Sequence, residues 1–137
     1  MTRLVCLACL LVAGCVSNAP PPRQPMAAPP PGGVAYAPAP GAQICREGST
    51  CSWECPQGNC AFVCEQGATC NVECDGGNCS LECHPGATCN DECDGGNCHT
   101  LCAASATCNL ECDGGRCEQA CDRGSTCNVE CDGGNCY

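Results

Sequence analysis

The fold this sequence predicts is all-β: a small disulfide-rich β-solenoid of five 19-residue coils, with two short strands per coil. Three observations predict it. First, the spacing C-x5-C-x3-C-x4-C-x3 runs without a slip from Cys45 to the end of the sequence. Its turns are Cys45, Cys51, Cys55, Cys60; Cys64, Cys70, Cys74, Cys79; Cys83, Cys89, Cys93, Cys98; Cys102, Cys108, Cys112, Cys117; and Cys121, Cys127, Cys131, Cys136. A fixed period near twenty residues marks units that stack in one dimension, each burying its face against its neighbours. Second, twenty of these 93 residues are cysteine, far above the roughly 8–10% that marks a disulfide scaffold of an oxidising compartment. Third, each period holds two stretches in which cysteine and apolar residues alternate with polar ones, the period-two pattern of a half-buried strand.

Taken in chain order, the first element is a leader at 1–14. Met1-Thr-Arg3 is a short positive stretch and Leu4–Ala13 an apolar run of ten residues. Such a run is too short for a bilayer, which needs about 20 helical residues. It leads into Leu11-Val12-Ala13-Gly14-Cys15, which resembles the lipobox of bacterial membrane lipoproteins. The resemblance implies cleavage before Cys15, a diacylglyceryl anchor on its sulfur, and a cell-envelope address. Val16 follows the cysteine, not the aspartate that favours inner-membrane retention in that family, so the resemblance implies the outer membrane. Cys6-Leu-Ala-Cys9 spells C-x-x-C, but it falls in the discarded leader and carries no redox reading.

The second element, 15–44, is the lipidated N-terminus and a Pro/Ala-rich tether. Nine of the eleven prolines lie before Cys45. Pro20-Pro-Pro22, Pro29-Pro-Pro31 and Ala37-Pro-Ala-Pro40 favour polyproline II, and nothing in the segment can bury a core. Its reach is about 90 Å at roughly 3.1 Å per residue, enough to hold the repeats off a membrane.

The third element, 45–137, is the cysteine-rich repeat domain. Thr69-Cys-Asn-Val-Glu-Cys74 and Asn78-Cys-Ser-Leu-Glu-Cys83 read as strands whose cysteines and central residue face inward. The central slots along the chain are Trp53, Phe62, Val72, Leu81, Asp91, Thr100, Leu110, Gln119 and Val129. Asp91 and Gln119 break the apolar pattern. They are expected to mark a local departure in phase, the alternative being a buried carboxylate partnered by Thr100. Asp-Gly-Gly-Asn at 75–78, 94–97 and 132–135, and Asp113-Gly-Gly-Arg116, are turn chemistry, because Gly, Asp and Asn tolerate positive φ. Five coils at roughly 4.8 Å give a stack about 24 Å long. The two-strand coil with internal disulfides is similar in architecture to the small cysteine-rich insect antifreeze solenoids, whose repeats are shorter.

Geometry prunes the disulfide pairing. Residues i and i+4 of a strand lie about 13 Å apart, whereas a disulfide needs Cα atoms within about 7 Å, so C-x3-C pairs cannot bond within strands. Pairing across each bend is expected instead, from Cys45–Cys51 and Cys55–Cys60 through Cys131–Cys136, with bonds between adjacent coils left open. Loops this short contribute roughly 2 kcal/mol each in the chain-entropy model, enough together to hold a domain with few apolar slots.

Charge narrows the partners. The repeats carry all fifteen carboxylates against Arg46, Arg116 and Arg123, a net of 3 − 15 = −12, and lysine is absent. A surface this acidic repels nucleic acid and anionic headgroups, leaving cations, basic proteins or the cell wall as partners. The period stacks Glu73, Glu92, Glu111 and Glu130 in one column and Asp75, Asp94, Asp113 and Asp132 in another. Stacked carboxylates repel, and a hard cation with oxygen ligands relieves that. Weak Ca2+ binding is therefore the alternative expectation, and the columns resemble the glycine- and aspartate-rich repeats of secreted bacterial β-rolls. Thr50, Thr69, Thr88, Thr107 and Thr126 stand beside Ser52, Asn71, Asn90, Asn109 and Asn128. Threonine arrays bind ice in the antifreeze solenoids, but the asparagine rank and the neighbouring glutamates fit a hydrogen-bonded ladder better. Thiolate metal binding, as in metallothioneins, needs reduced cysteines, which an exported chain will not keep. His84 and His99 have no nucleophile beside them in the pattern. No cofactor is expected, and the functional expectation is a non-catalytic envelope lipoprotein with a structural or partner-binding repeat module.

Overall fold

The computed structural model describes residues 39–137; the leader, Cys15 and the tether up to residue 38 lie outside them. Ten strands follow in chain order: β1 (Gln43–Cys45), β2 (Thr50–Glu54), β3 (Ala61–Cys64), β4 (Thr69–Glu73), β5 (Ser80–Cys83), β6 (Thr88–Glu92), β7 (His99–Cys102), β8 (Thr107–Cys112), β9 (Glu118–Cys121) and β10 (Thr126–Cys131). The odd strands form one five-stranded sheet and the even strands another. Every pairing is parallel and joins residues one period apart, as in Thr69↔Thr88 and Leu81↔Thr100. The chain is thus a β-solenoid in which one strand of each sheet is laid down per coil.

The alternation in the sequence sets the core. Cys70 and Val72 of β4 are buried while Asn71 and Glu73 between them face out. Phe62 and Leu81 from the odd sheet share one buried core with Val72 and Leu110 from the even sheet, all nearly sealed from solvent. Trp53 stacks on Phe62 with ring centroids 5.1 Å apart, closing the first coil. In the last coil Val129 holds the same slot but is 45% exposed.

Two expectations need correction. Asp91 and Gln119 do not mark a departure in phase. Asp91 pairs in register with Val72 and Leu110, and both polar side chains are buried. A one-residue slip would turn every side chain of the strand over, exposing Cys89 along with Asp91, so the flanking disulfides hold the phase against the cost of burying a carboxylate. Secondly, the odd strands are shorter than the pattern implies. β5 begins at Ser80, not Asn78, because Asn78 sits at φ 54° and cannot continue a strand. Cys79 therefore belongs to the bend.

Candidate functional site

The features that set this molecule apart are its two bends and the faces between them. All twenty cysteines of the described residues are bonded across bends. Cys45–Cys51, Cys64–Cys70, Cys83–Cys89, Cys102–Cys108 and Cys121–Cys127 close the longer bend. Cys55–Cys60, Cys74–Cys79, Cys93–Cys98, Cys112–Cys117 and Cys131–Cys136 close the shorter one. Their Cα atoms lie 5.8 to 6.6 Å apart, within the usual disulfide range.

At the short bend both glycines are closely approached by a neighbouring coil, and the second also takes positive φ. Gly77 takes φ 70° and Gly96 φ 73°, each followed by an asparagine also at positive φ. Gly76 and Gly95 do not adopt positive φ, and their requirement is close approach. A Cβ on Gly95 would lie 2.3 Å from Gly77 N and 2.5 Å from Gly76 C. Coils therefore meet backbone to backbone here, and Asn78 N–H donates to Gly96 C=O at 2.9 Å. The turn composition pointed only to positive φ; the column of four glycines spaced one period apart was the missed signal.

That close approach also brings sulfurs of successive coils together. Cys55 lies with Cys74 and Cys79, Cys74 with Cys93 and Cys98, and Cys93 with Cys112 and Cys117, the sulfurs of each trio within 4.8 Å of one another. The long bend has one such trio, Cys83, Cys89 and Cys108. The cysteine spacing leaves bonds between adjacent coils open; the structure bonds each pair within one coil and brings the sulfurs of the next coil alongside.

The outer face of the even sheet carries threonine, asparagine and glutamate columns, the last two lining an open trough. Asn90 Nδ2 donates to Asn71 Oδ1 at 2.8 Å, Asn109 to Asn90 at 2.8 Å, and Asn128 to Asn109 at 2.7 Å. Asn71 extends the ladder to Ser52 Oγ at 3.5 Å. Glu73, Glu92, Glu111 and Glu130 stand beside it, and Asp75, Asp94, Asp113 and Asp132 follow at the bend, all exposed. Among the described residues the groups of three potential metal ligands within 4.8 Å are made of cysteine sulfurs, not of these carboxylates. The Glu92 carboxyl is nevertheless pushed above its ordinary range, first by desolvation and then by the charges of Asp94, Glu111, Glu73 and Asp113.

Inside the third coil, Thr100 Oγ1 donates to Asp91 Oδ2 at 2.6 Å. Asp91 Oδ1 and both polar atoms of Gln119 have no protein partner. Burial raises the Asp91 carboxyl to about 6 against the smaller opposing effect of the Thr100 hydrogen bond. His84 lies 3.4 Å from Glu82 and His99 3.8 Å from Glu118, both on the odd sheet's side of the coil. The structure does not bring them to the acidic columns.

No family model, curated protein or solved structure matches this chain. What defines its class is therefore its own geometry: a disulfide-rich repeat solenoid, an architecture that fits a structural or binding module.

Proposed function

We propose that this chain is a non-enzymatic, lipid-anchored envelope protein whose solenoid presents a rigid acidic face to a cationic or basic partner. One observation carries the reading. The even sheet holds outward columns of threonine, asparagine (serine in the first coil) and glutamate in register over five coils and ties the middle column together by an asparagine ladder. A periodic, pre-ordered face suits recognition of an extended partner, because little side-chain entropy remains to be lost on contact. The lipobox-like run at Cys15 supplies the anchor and the proline-rich segment the stand-off. Metabolic labelling with a fatty-acid probe should mark the wild-type protein and not Cys15→Ala. Unchanged labelling of Cys15→Ala would remove the anchor from this reading.

The register that stacks Glu73, Glu92, Glu111 and Glu130 one coil apart favours a second reading, weak Ca2+ binding along the Glu and Asp columns. Its affinity should fall in the 10⁻⁴–10⁻³ M range of extracellular modules. Calorimetric titration of the oxidised protein, with Asp94→Asn as control, tests it. Heat that magnesium and sodium reproduce equally would reduce the columns to solvated acids.

A further inference from the structure

The short-bend disulfides stand in line. Cys55–Cys60, Cys74–Cys79, Cys93–Cys98 and Cys112–Cys117 follow one another, and in each trio one sulfur of a coil lies within 4.8 Å of both sulfurs of the next bonded pair. The sulfurs reaching forward are Cys55, Cys74 and Cys93, and each is buried to 2% exposure or less. Cys60, bonded to the first of them, is half-buried and open to an attacker. We propose that this line is a thiol–disulfide relay. A thiol outside the protein attacks at Cys60, and the resulting thiolate is handed inward from coil to coil.

Each step balances. An external thiolate bonds to Cys60 Sγ and the Cys55–Cys60 bond breaks, leaving a Cys55 thiolate and a mixed disulfide on Cys60. Cys55 attacks Cys79, forming Cys55–Cys79 and expelling Cys74 as thiolate. Cys74 in turn attacks Cys98 and releases Cys93, which attacks Cys117 and releases Cys112. Every transfer consumes one thiolate and makes one, so no oxidant or reductant is needed beyond the first external thiol. The direction follows from which sulfur each attack frees. Attack on the later cysteine of each pair frees the earlier one, and that sulfur lies in the next trio. Attack on the earlier cysteine would free Cys79, Cys98 or Cys117, none of which belongs to a trio with the following coil.

The relay also gives the short bend a property the long bend lacks. With a single trio at Cys83, Cys89 and Cys108, the long-bend staples form no continuous line. Interior bonds are thereby changed without any reagent entering the core.

The test uses two full-length variants with one free thiol each. Cys60→Ser leaves Cys55 unpaired at the head of the line; Cys55→Ser leaves Cys60. Each is incubated at pH 8, acid-quenched, alkylated with excess maleimide in denaturant, and mapped by peptide mass spectrometry, which also reports whether the other disulfides formed. In Cys60→Ser the label should be shared among Cys55, Cys74, Cys93 and Cys112 within roughly tenfold, with Cys55–Cys79 and Cys74–Cys98 peptides present, as expected for exchange between disulfides of similar kind. Sharing should be reached faster at higher pH, because the thiolate is the attacking species. In Cys55→Ser the label should stay on Cys60. Label confined to Cys55 in the first variant would overturn the relay. So would label on Cys79, Cys98 or Cys117, or spreading from Cys60 in the second variant, since either would mean scrambling without the proposed direction.

Discussion

The two bends of each coil differ in what holds neighbouring coils together. At the short bend, glycine backbone packs on glycine backbone, and Asp-Gly-Gly-Asn recurs in three coils, with Pro56-Gln-Gly-Asn59 in the first and Asp113-Gly-Gly-Arg116 in the fourth. At the long bend, Arg46-Glu47, Glu65-Gln66, His84-Pro85, Ala103-Ala104 and Asp122-Arg123 occupy equivalent places, and a Cβ on Gly67 would meet nothing within 4 Å. Its fixed features are the left-handed residue (Gly48, Gly67, Gly86, Ser105, Gly124) and the small one after it, where Ala68, Ala87 and Ala106 are buried. Sequence variation is therefore free where side chains point to solvent and forbidden where backbones touch. Gln57 in the first coil fits this rule. It takes the place of Gly76, and among the described residues no earlier coil packs on it.

Substituting one glycine at each bend breaks the comparison most sharply. Gly95→Ala sets a methyl against Gly77 N and Asp75 O, atoms of backbone that cannot yield without moving a coil. Overpacking of this kind costs about 3 kcal/mol or more. Gly86→Ala meets only Gly67 N, at 4.0 Å. Its cost is the strain of alanine at φ 74°, about 1 kcal/mol. Amide hydrogen exchange at the third coil, with disulfides intact, reads both as local opening free energies. Equal loss of protection in the two variants would abolish the distinction between the bends.

A second test asks whether the bends hold a coil whatever fills it. The third coil is filled by Asp91 and Thr100 where its neighbours carry Val72, Leu81 and Leu110. The Asp91 carboxyl titrates at about 6 in the fold against an ordinary 3.8. The folded chain thus holds the proton more tightly than the unfolded chain between those values. The contribution of Asp91 to stability is greatest below pH 4, falls as pH rises to about 6, and is level above. The loss amounts to about 3 kcal/mol at 1.36 kcal/mol per unit. Asp91→Asn keeps an acceptor for Thr100 and should flatten this profile. A carboxyl-carbon NMR titration of Asp91 should show the midpoint directly. If the bends dominate, their amides stay protected at pH 8 although the carboxylate is charged. Loss of that protection would show that the filling matters more.

The legible part of this fold was its period. Cysteine spacing carried the strands, the coil count and the two-sheet layout, because a repeat of fixed length leaves one register. The acidic and asparagine columns followed from the same arithmetic. Less legible was anything set by distance between coils. Gly76 and Gly77 are the same letter and both are needed for close approach, Gly76 to the coil before and Gly77 to the coil after, yet only Gly77 also needs its φ. Asp91 looked like a fault in the pattern, since alternation alone does not weigh a buried carboxylate against two flanking disulfides. The sulfur trios depend on how tightly glycine lets the coils approach.

The finest test concerns the left-handed position of each bend, which one coil in each case fills with an unfavoured residue. Ser105 takes φ 67° at the long bend, where the other four coils have glycine, and Arg116 takes φ 59° at the short bend, where the others have asparagine. Holding a non-glycine residue there costs about 1 kcal/mol or somewhat more. Ser105→Gly removes that strain but frees the unfolded chain, which returns roughly 0.4–1 kcal/mol of the gain. The net should be a stabilisation of about 0.5 kcal/mol. Arg116→Asn should gain a similar amount without the entropic offset, since asparagine tolerates this region and does not loosen the unfolded chain as glycine does. It also removes one of three arginines that temper fifteen carboxylates, so the gain should shrink at low salt, where repulsion between exposed charges is least screened. Hydrogen exchange at the Arg116 amide, which donates to Gly134 C=O at 3.1 Å, measures this at two ionic strengths. A gain that ignores salt would assign the effect to φ alone; a loss at both strengths would mean that Arg116 is held by its charge and not tolerated despite its backbone.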